Sequence, residues 1–208
     1  MKKTVFILTL IASISSFAQS NSLSTNMSKT SSGNSQKGFY IGADYMNISD
    51  VKIDYSFRGN GRSASGDTVG GTHIGMGGIT LGYNKTPDRG FGFSAGARFL
   101  ESFNRSEYED WKIQMIIPEA NLTLAVNSLL VIYAGLNSAV FTGSSSADRL
   151  QSRPGFQSGL GFRLTKNVAW NAGYTIINQH INDKLEIGTA AEVDVRYSGF
   201  NSNLTYTF

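Results

Sequence analysis

Hydrophobic residues recur with period two along most of the chain from residue 37 onward. In FGFSAGARF, Phe91, Phe93, Ala95, Ala97 and Phe99 take alternate positions, with Gly92, Ser94, Gly96 and Arg98 between them. Successive side chains of a β-strand point to opposite faces, so the segment predicts a strand with one apolar and one small or polar face. FYIGADY repeats the split, setting Phe39, Ile41, Ala43 and Tyr45 against Tyr40, Gly42 and Asp44. GFQSGLGFRL sets Phe156, Leu160 and Phe162 against Gln157, Gly159 and Arg163, and VAWNAGYTI sets Trp170, Ala172 and Tyr174 against Asn171, Gly173 and Thr175. Residues 72–85, 111–125 and 192–208 carry weaker versions, and 130–141 is apolar on both faces near its start. Eight strands are predicted.

The connections between them alternate in length. Residues 49–71, 102–110, 142–153 and 178–191 read as long links, while 86–89, 126–128 and 165–167 read as tight turns. Short turns at one end and longer loops at the other are the habit of a transmembrane β-barrel. A soluble sandwich or lipocalin-like barrel also alternates, but its polar face is solvated and carries many charges. Here that face is mostly Gly, Ser, Thr and Asn, and only 16% of all residues are charged. Small polar residues suit the narrow interior of eight strands. The expected fold is an all-β, eight-stranded antiparallel transmembrane barrel with short periplasmic turns and longer extracellular loops.

The front of the chain adds an address. MKKTVFILTLIASISSFAQS has two lysines, an apolar run and then small residues, the order of a secretory signal peptide. Residues 1–18 are read as that signal, 19–36 as a flexible Ser/Thr/Asn-rich leader and 37–208 as the barrel domain. Losing Lys2 and Lys3 with the signal takes the formal charge from +3 to +1, so the basic balance does not point to nucleic acid. With no cysteine there is neither a disulfide framework nor a thiolate metal site.

The last ten residues, GFNSNLTYTF, alternate to the end and close on an aromatic residue. Tyr206 and Phe208 fall at the end expected to face the periplasm. Phe39, Tyr83, Phe91 and Trp170 fall near the same end, forming one aromatic girdle of the kind that suits a membrane interface. Tyr45, Phe99, Trp111, Phe141 and Phe156 would form the other. The signal, the amphipathic strands and NLTYTF resemble the small outer-membrane β-barrels of Gram-negative bacteria, the OmpA/OmpX-like class. The resemblance implies that Leu204, Tyr206 and Phe208 are the signal read by the barrel-assembly machinery. It implies outer-membrane lipid and lipopolysaccharide as surroundings and both mature termini in the periplasm. It leaves activity open, because this fold hosts many functions.

Candidate chemistry is sparse. Asp44, Arg98 and Glu119 fall on the inward face at similar heights, with Arg163 nearer the turn end. Charges buried there must pair, so Arg98 is expected to bridge Asp44 and Glu119, as a structural plug in preference to an ion gate. His180-Ile181-Asn182 with Glu192 beyond resembles the His-x-Ser and later Glu of lipid A deacylases, but Asn182 cannot serve as the nucleophile. GGTHIGMGG lacks the Lys and the helix of a phosphate loop. His73 and His180 have no nearby second ligand, so no metal or cofactor is expected. The expected role is structural or surface-interaction, through loops that contact an extracellular ligand or cell surface. The alternative is a narrow channel for small or apolar solutes.

Overall fold

The computed structural model describes residues 35–59, 62–103, 113–142, 150–185 and 189–208. The signal, most of the leader and Trp111 lie outside them. The strands are β1 (Gln36–Gly59), β2 (Arg62–Thr86), β3 (Gly90–Ser102), β4 (Gln114–Ala125), β5 (Leu130–Asn137), β6 (Val140–Thr142), β7 (Leu150–Arg163), β8 (Val168–Leu185) and β9 (Thr189–Thr207). Each pairs antiparallel with its neighbours, and β9 returns to β1 with Ile41 opposite Tyr206, closing the ring. β5 and β6 are two pieces of one wall position. Both face β4 in a single register, with Glu119 opposite Asn137 and Ile116 opposite Val140, and Ser138 N–H donates to the Pro118 carbonyl between them at 3.1 Å. The wall therefore has eight positions, as the alternation predicts.

Burial is inverted relative to a water-soluble protein. Ile41, Phe93, Leu136, Leu160 and Leu204 are exposed on the outward face, whereas Thr80, Arg98, Gln157, Thr175 and Asn201 are buried inside. Leaving apolar surface in water costs about 25 cal/mol per Å², and burying polar groups costs more unless they pair. Hydrocarbon outside removes the first cost. Ring closure removes the free strand edges that hydrocarbon would not tolerate.

The wall is tall on one side. β1 and β2 hold 24 and 25 residues against 13 and 12 in β3 and β4. Some 9–11 residues suffice to cross a bilayer. The reading of 49–71 and 178–191 as loops is corrected here, because most of both continue as paired strand, with Lys52 opposite Arg196 and Asp54 opposite Asp67. Above the apolar band the outward residues meet water, so the oily alternation stops although the backbone ladder does not. A bulge between Ile48 and Asp50 shifts the phase, bringing Val51 against the inner apolar cluster.

Phe141, expected in the outer girdle, also points inward. It packs beside Tyr197, ring centroids 5.4 Å apart, against the inner cluster. The facing of this strand could not be read from two apolar faces; in the fold its odd positions, Val131, Asn137 and Ala139 among them, are inside.

Two tyrosines inside the barrel lie over glycine pairs. Gly82 and Gly96 are directly opposite in β2 and β3, and Gly159 and Gly173 in β7 and β8. A methyl group at any of these four would collide with the Tyr40 hydroxyl on the first pair or the Tyr133 hydroxyl on the second. The missing side chains let a large ring cross a narrow lumen.

Placing a charge on the lipid face tests the inversion. Leu136, 62% exposed on the outward face near mid-wall, is the chosen site. Leu136→Arg should destabilise the folded barrel in bilayers by about 2–4 kcal/mol, read as a lowered denaturant midpoint. A substitution of equal effect in a water-soluble state would contradict the assignment.

Candidate functional site

The barrel interior is built in layers. At mid-height Arg98, fully buried, is the hub. Its Nε lies 2.9 Å from Glu119 Oε2 and 3.8 Å from Asp44 Oδ2. Its Nη2 donates to Gln157 Oε1 at 2.7 Å and, at 3.5 Å, to Thr175 Oγ1. Gln157 Nε2 in turn donates to Glu119 Oε2 at 2.9 Å and to Asn121 Oδ1 at 2.7 Å, while Thr175 Oγ1 donates to Asn201 Oδ1 at 3.0 Å. β1, β3, β4, β7, β8 and β9 all contribute. Glu119 is held by both guanidinium and amide, whereas Asp44 has no side-chain hydrogen-bond donor among the described residues and lies 3.8 Å from its cation, Arg98.

The structure brings together Asp44, Arg98 and Glu119, the three charges expected to meet. Arg163 stands apart. Its Nη2 donates to the Pro87 carbonyl at 2.6 Å and the Thr86 carbonyl at 3.3 Å, and Nη1 lies 3.8 Å from Asp88 Oδ1. It reaches across the lumen from β7 and holds the β2–β3 turn. Between the two arginines lies a polar chamber of about 80 Å³ lined by Tyr40, Asn84, Asn171, Asn203 and other amides and hydroxyls.

Above Arg98 the lumen turns apolar, which sequence reasoning missed. Met46, Ile48, Met76, Leu100, Met115, Ile117 and Ile177 form one buried cluster. The signal was available: Met46 and Ile48 continue the inward phase of Asp44, and Leu100 that of Arg98. Gln157, which couples Arg98 to Glu119, was placed on the inward face without a role.

The turn-end aromatics face outward. Phe39, Phe91, Trp170, Tyr206 and Phe208 are exposed, and Tyr83 lies between Phe39 at 5.5 Å and Phe93 at 6.2 Å. Leu204 shares this face. The last residue is held, since Phe208 N–H donates to the Phe39 carbonyl at 2.8 Å. His180 Nδ1 lies 2.8 Å from Asp194 Oδ1, which also takes Arg153 Nη1 at 3.0 Å, so the acid beside this histidine is Asp194 and not Glu192. Among the described residues no cluster of three His, Asp or Glu could hold a metal ion.

A family model described as the outer membrane protein beta-barrel domain matches residues 4–208. The chain belongs to this outer-membrane barrel family. Solved structures similar to this barrel include Neisserial surface protein A, from Neisseria, at 20% identity and TM-score 0.44, covering 82% of this chain and 97% of that one. OprG from Pseudomonas aeruginosa matches at 19% identity and TM-score 0.42, covering 82% and 98%. The attachment invasion locus protein Ail of Yersinia pestis matches at 14% identity and TM-score 0.33, covering 79% and 99%. No curated protein matches the sequence.

The ion cluster of this outer-membrane barrel has a measurable signature. Arg98→Met leaves two buried carboxylates without a cation and should cost about 3–5 kcal/mol. The neutral set D44N/R98M/E119Q should recover most of that loss, read from urea unfolding midpoints in detergent. If the triple variant is no more stable than R98M, the three charges do not act as one unit.

Proposed function

We propose that the protein is a sealed barrel that acts at the cell surface, with its turn end and both mature termini in the periplasm and its tall sheet outside. The observation that carries this reading is a lumen blocked twice. The Arg98 cluster fills mid-height, and the Met and Ile cluster fills the level above it. A solute would have to break a buried ion pair and unpack an apolar core. The upper parts of β1, β2, β8 and β9 instead offer an extended surface. Its outward face carries Lys52, Asp54, Asp194 and Arg196, and Ala64, Ser65, Asp67, Thr68 and Val69 are all exposed. A paired sheet holds such residues in a set geometry, where recognition on a rigid scaffold usually lies.

The apolar upper lumen favours a second reading, entry of apolar solutes. Val51, Tyr197 and Phe141 extend the cluster towards the loop end. Both readings leave catalysis aside, since residue 182 is Asn where a deacylase-like motif needs a serine.

Two measurements separate them. Excising residues 53–68 and closing β1 to β2 with an Asn-Gly turn should keep the heat-dependent gel mobility of a folded barrel while lowering adhesion of expressing cells to host cells or matrix by about tenfold. Liposomes carrying the intact protein should swell in small sugars no faster than empty ones. Unchanged adhesion together with saturable uptake of an apolar solute would replace the first reading by the second.

A further inference from the structure

At the turn-end rim, outside the lumen, β1 and β2 set Lys37 directly opposite Lys85. Both are exposed, and neither is ion-paired to a carboxylate among the described residues. Like charges directly opposite on one sheet face repel. Register alone does not require this arrangement, so an anion that sits between the two ammonium groups would remove the conflict.

The surroundings say what kind of anion. Lys85 is opposite Phe93 of β3, and Phe91 beside it is 82% exposed. A groove of about 400 Å³ runs between them, lined by Lys37, Lys85, Pro87, Phe91 and Phe93. Its floor is pinned from within, since Arg163 holds the Pro87 carbonyl. Two cations therefore stand at one end of an aromatic groove, at the edge of the lipid-facing band. A free inorganic anion would satisfy the lysines and leave the rings bare. A zwitterionic lipid would cover the rings but bring its own cation towards the lysines. An amphiphile with net negative charge satisfies both.

We propose that this groove binds one anionic diacyl phospholipid, its phosphate between Lys37 and Lys85 and its acyl chains along Phe91 and Phe93. The site is independent of what the loop end does.

Native mass spectrometry of the full chain purified in neutral detergent tests it, using phosphatidylglycerol and phosphatidylcholine with matched acyl chains. One phosphatidylglycerol should be retained in preference to phosphatidylcholine. Lys37→Gln or Lys85→Gln should weaken retention by about fivefold each, and the double variant by about thirtyfold. K37R/K85R should keep the preference. Lys166→Gln, in another turn of the same rim, should change nothing. Gel mobility before and after boiling confirms that each variant is folded. Equal retention of both lipids, a preference that survives K37Q/K85Q, an equal loss in K166Q, or displacement of the lipid by millimolar inorganic phosphate would each overturn the proposal.

Discussion

Everything in this barrel follows from one requirement: a backbone amide facing hydrocarbon must find its partner within the protein. The β1–β9 ladder meets it, joining residues from opposite ends of the domain along most of two long strands. Once the sheet is a ring, its eight wall positions set a narrow lumen, and the lumen dictates what can stand inside. Tyr40 and Tyr133 fit only because glycines face them in pairs. Charges fit only where a partner projects from another strand, as Glu119 does towards Arg98.

The same narrowness divides the interior into storeys. In the lower part, amides and hydroxyls from several strands satisfy one another around a small chamber, which suits groups that donate and accept at short range. Glu119 and Gln157, which hold Arg98, line that chamber, and the neutralisation of Arg98 is uneven: Glu119 is close and also takes the Gln157 amide, while Asp44 is more distant. Above it, Met and Ile side chains seal by packing alone. The two seals rest on unlike physics, so a change that loosens the apolar packing, such as an apolar solute, leaves the charge cluster in place.

Much of this was legible in the sequence, for identifiable reasons. Inside the membrane every outward residue must be apolar and every inward one small or paired, so the alternation in FGFSAGARF and GFQSGLGFRL carries both strand and facing. Outside the membrane that rule lapses. Lys52, Asp54, Arg196 and Asp194 pair across strands as regularly as their neighbours below, yet their sequence reads as loop because water accepts either face. The inward charges could be picked out by phase, and Arg98, Asp44 and Glu119 do stand together. Arg163 shares that phase but not the height, and its carbonyl partners in the β2–β3 turn carry no side-chain signature to be read. Phe141 was misplaced because a strand apolar on both faces holds no facing information. Lys37 opposite Lys85 required the register, which alternation does not supply.

Ring closure between the first and last strands also bears on how the molecule comes into being. No intermediate containing only the early strands can bury its margins, because the partner that completes β1 is β9, made after all the other described strands. Closure thus waits on pairing between remote parts of the chain, the slowest class of contact to form. Until that moment the polypeptide carries two open margins and a greasy exterior, and in water it is exposed to self-association.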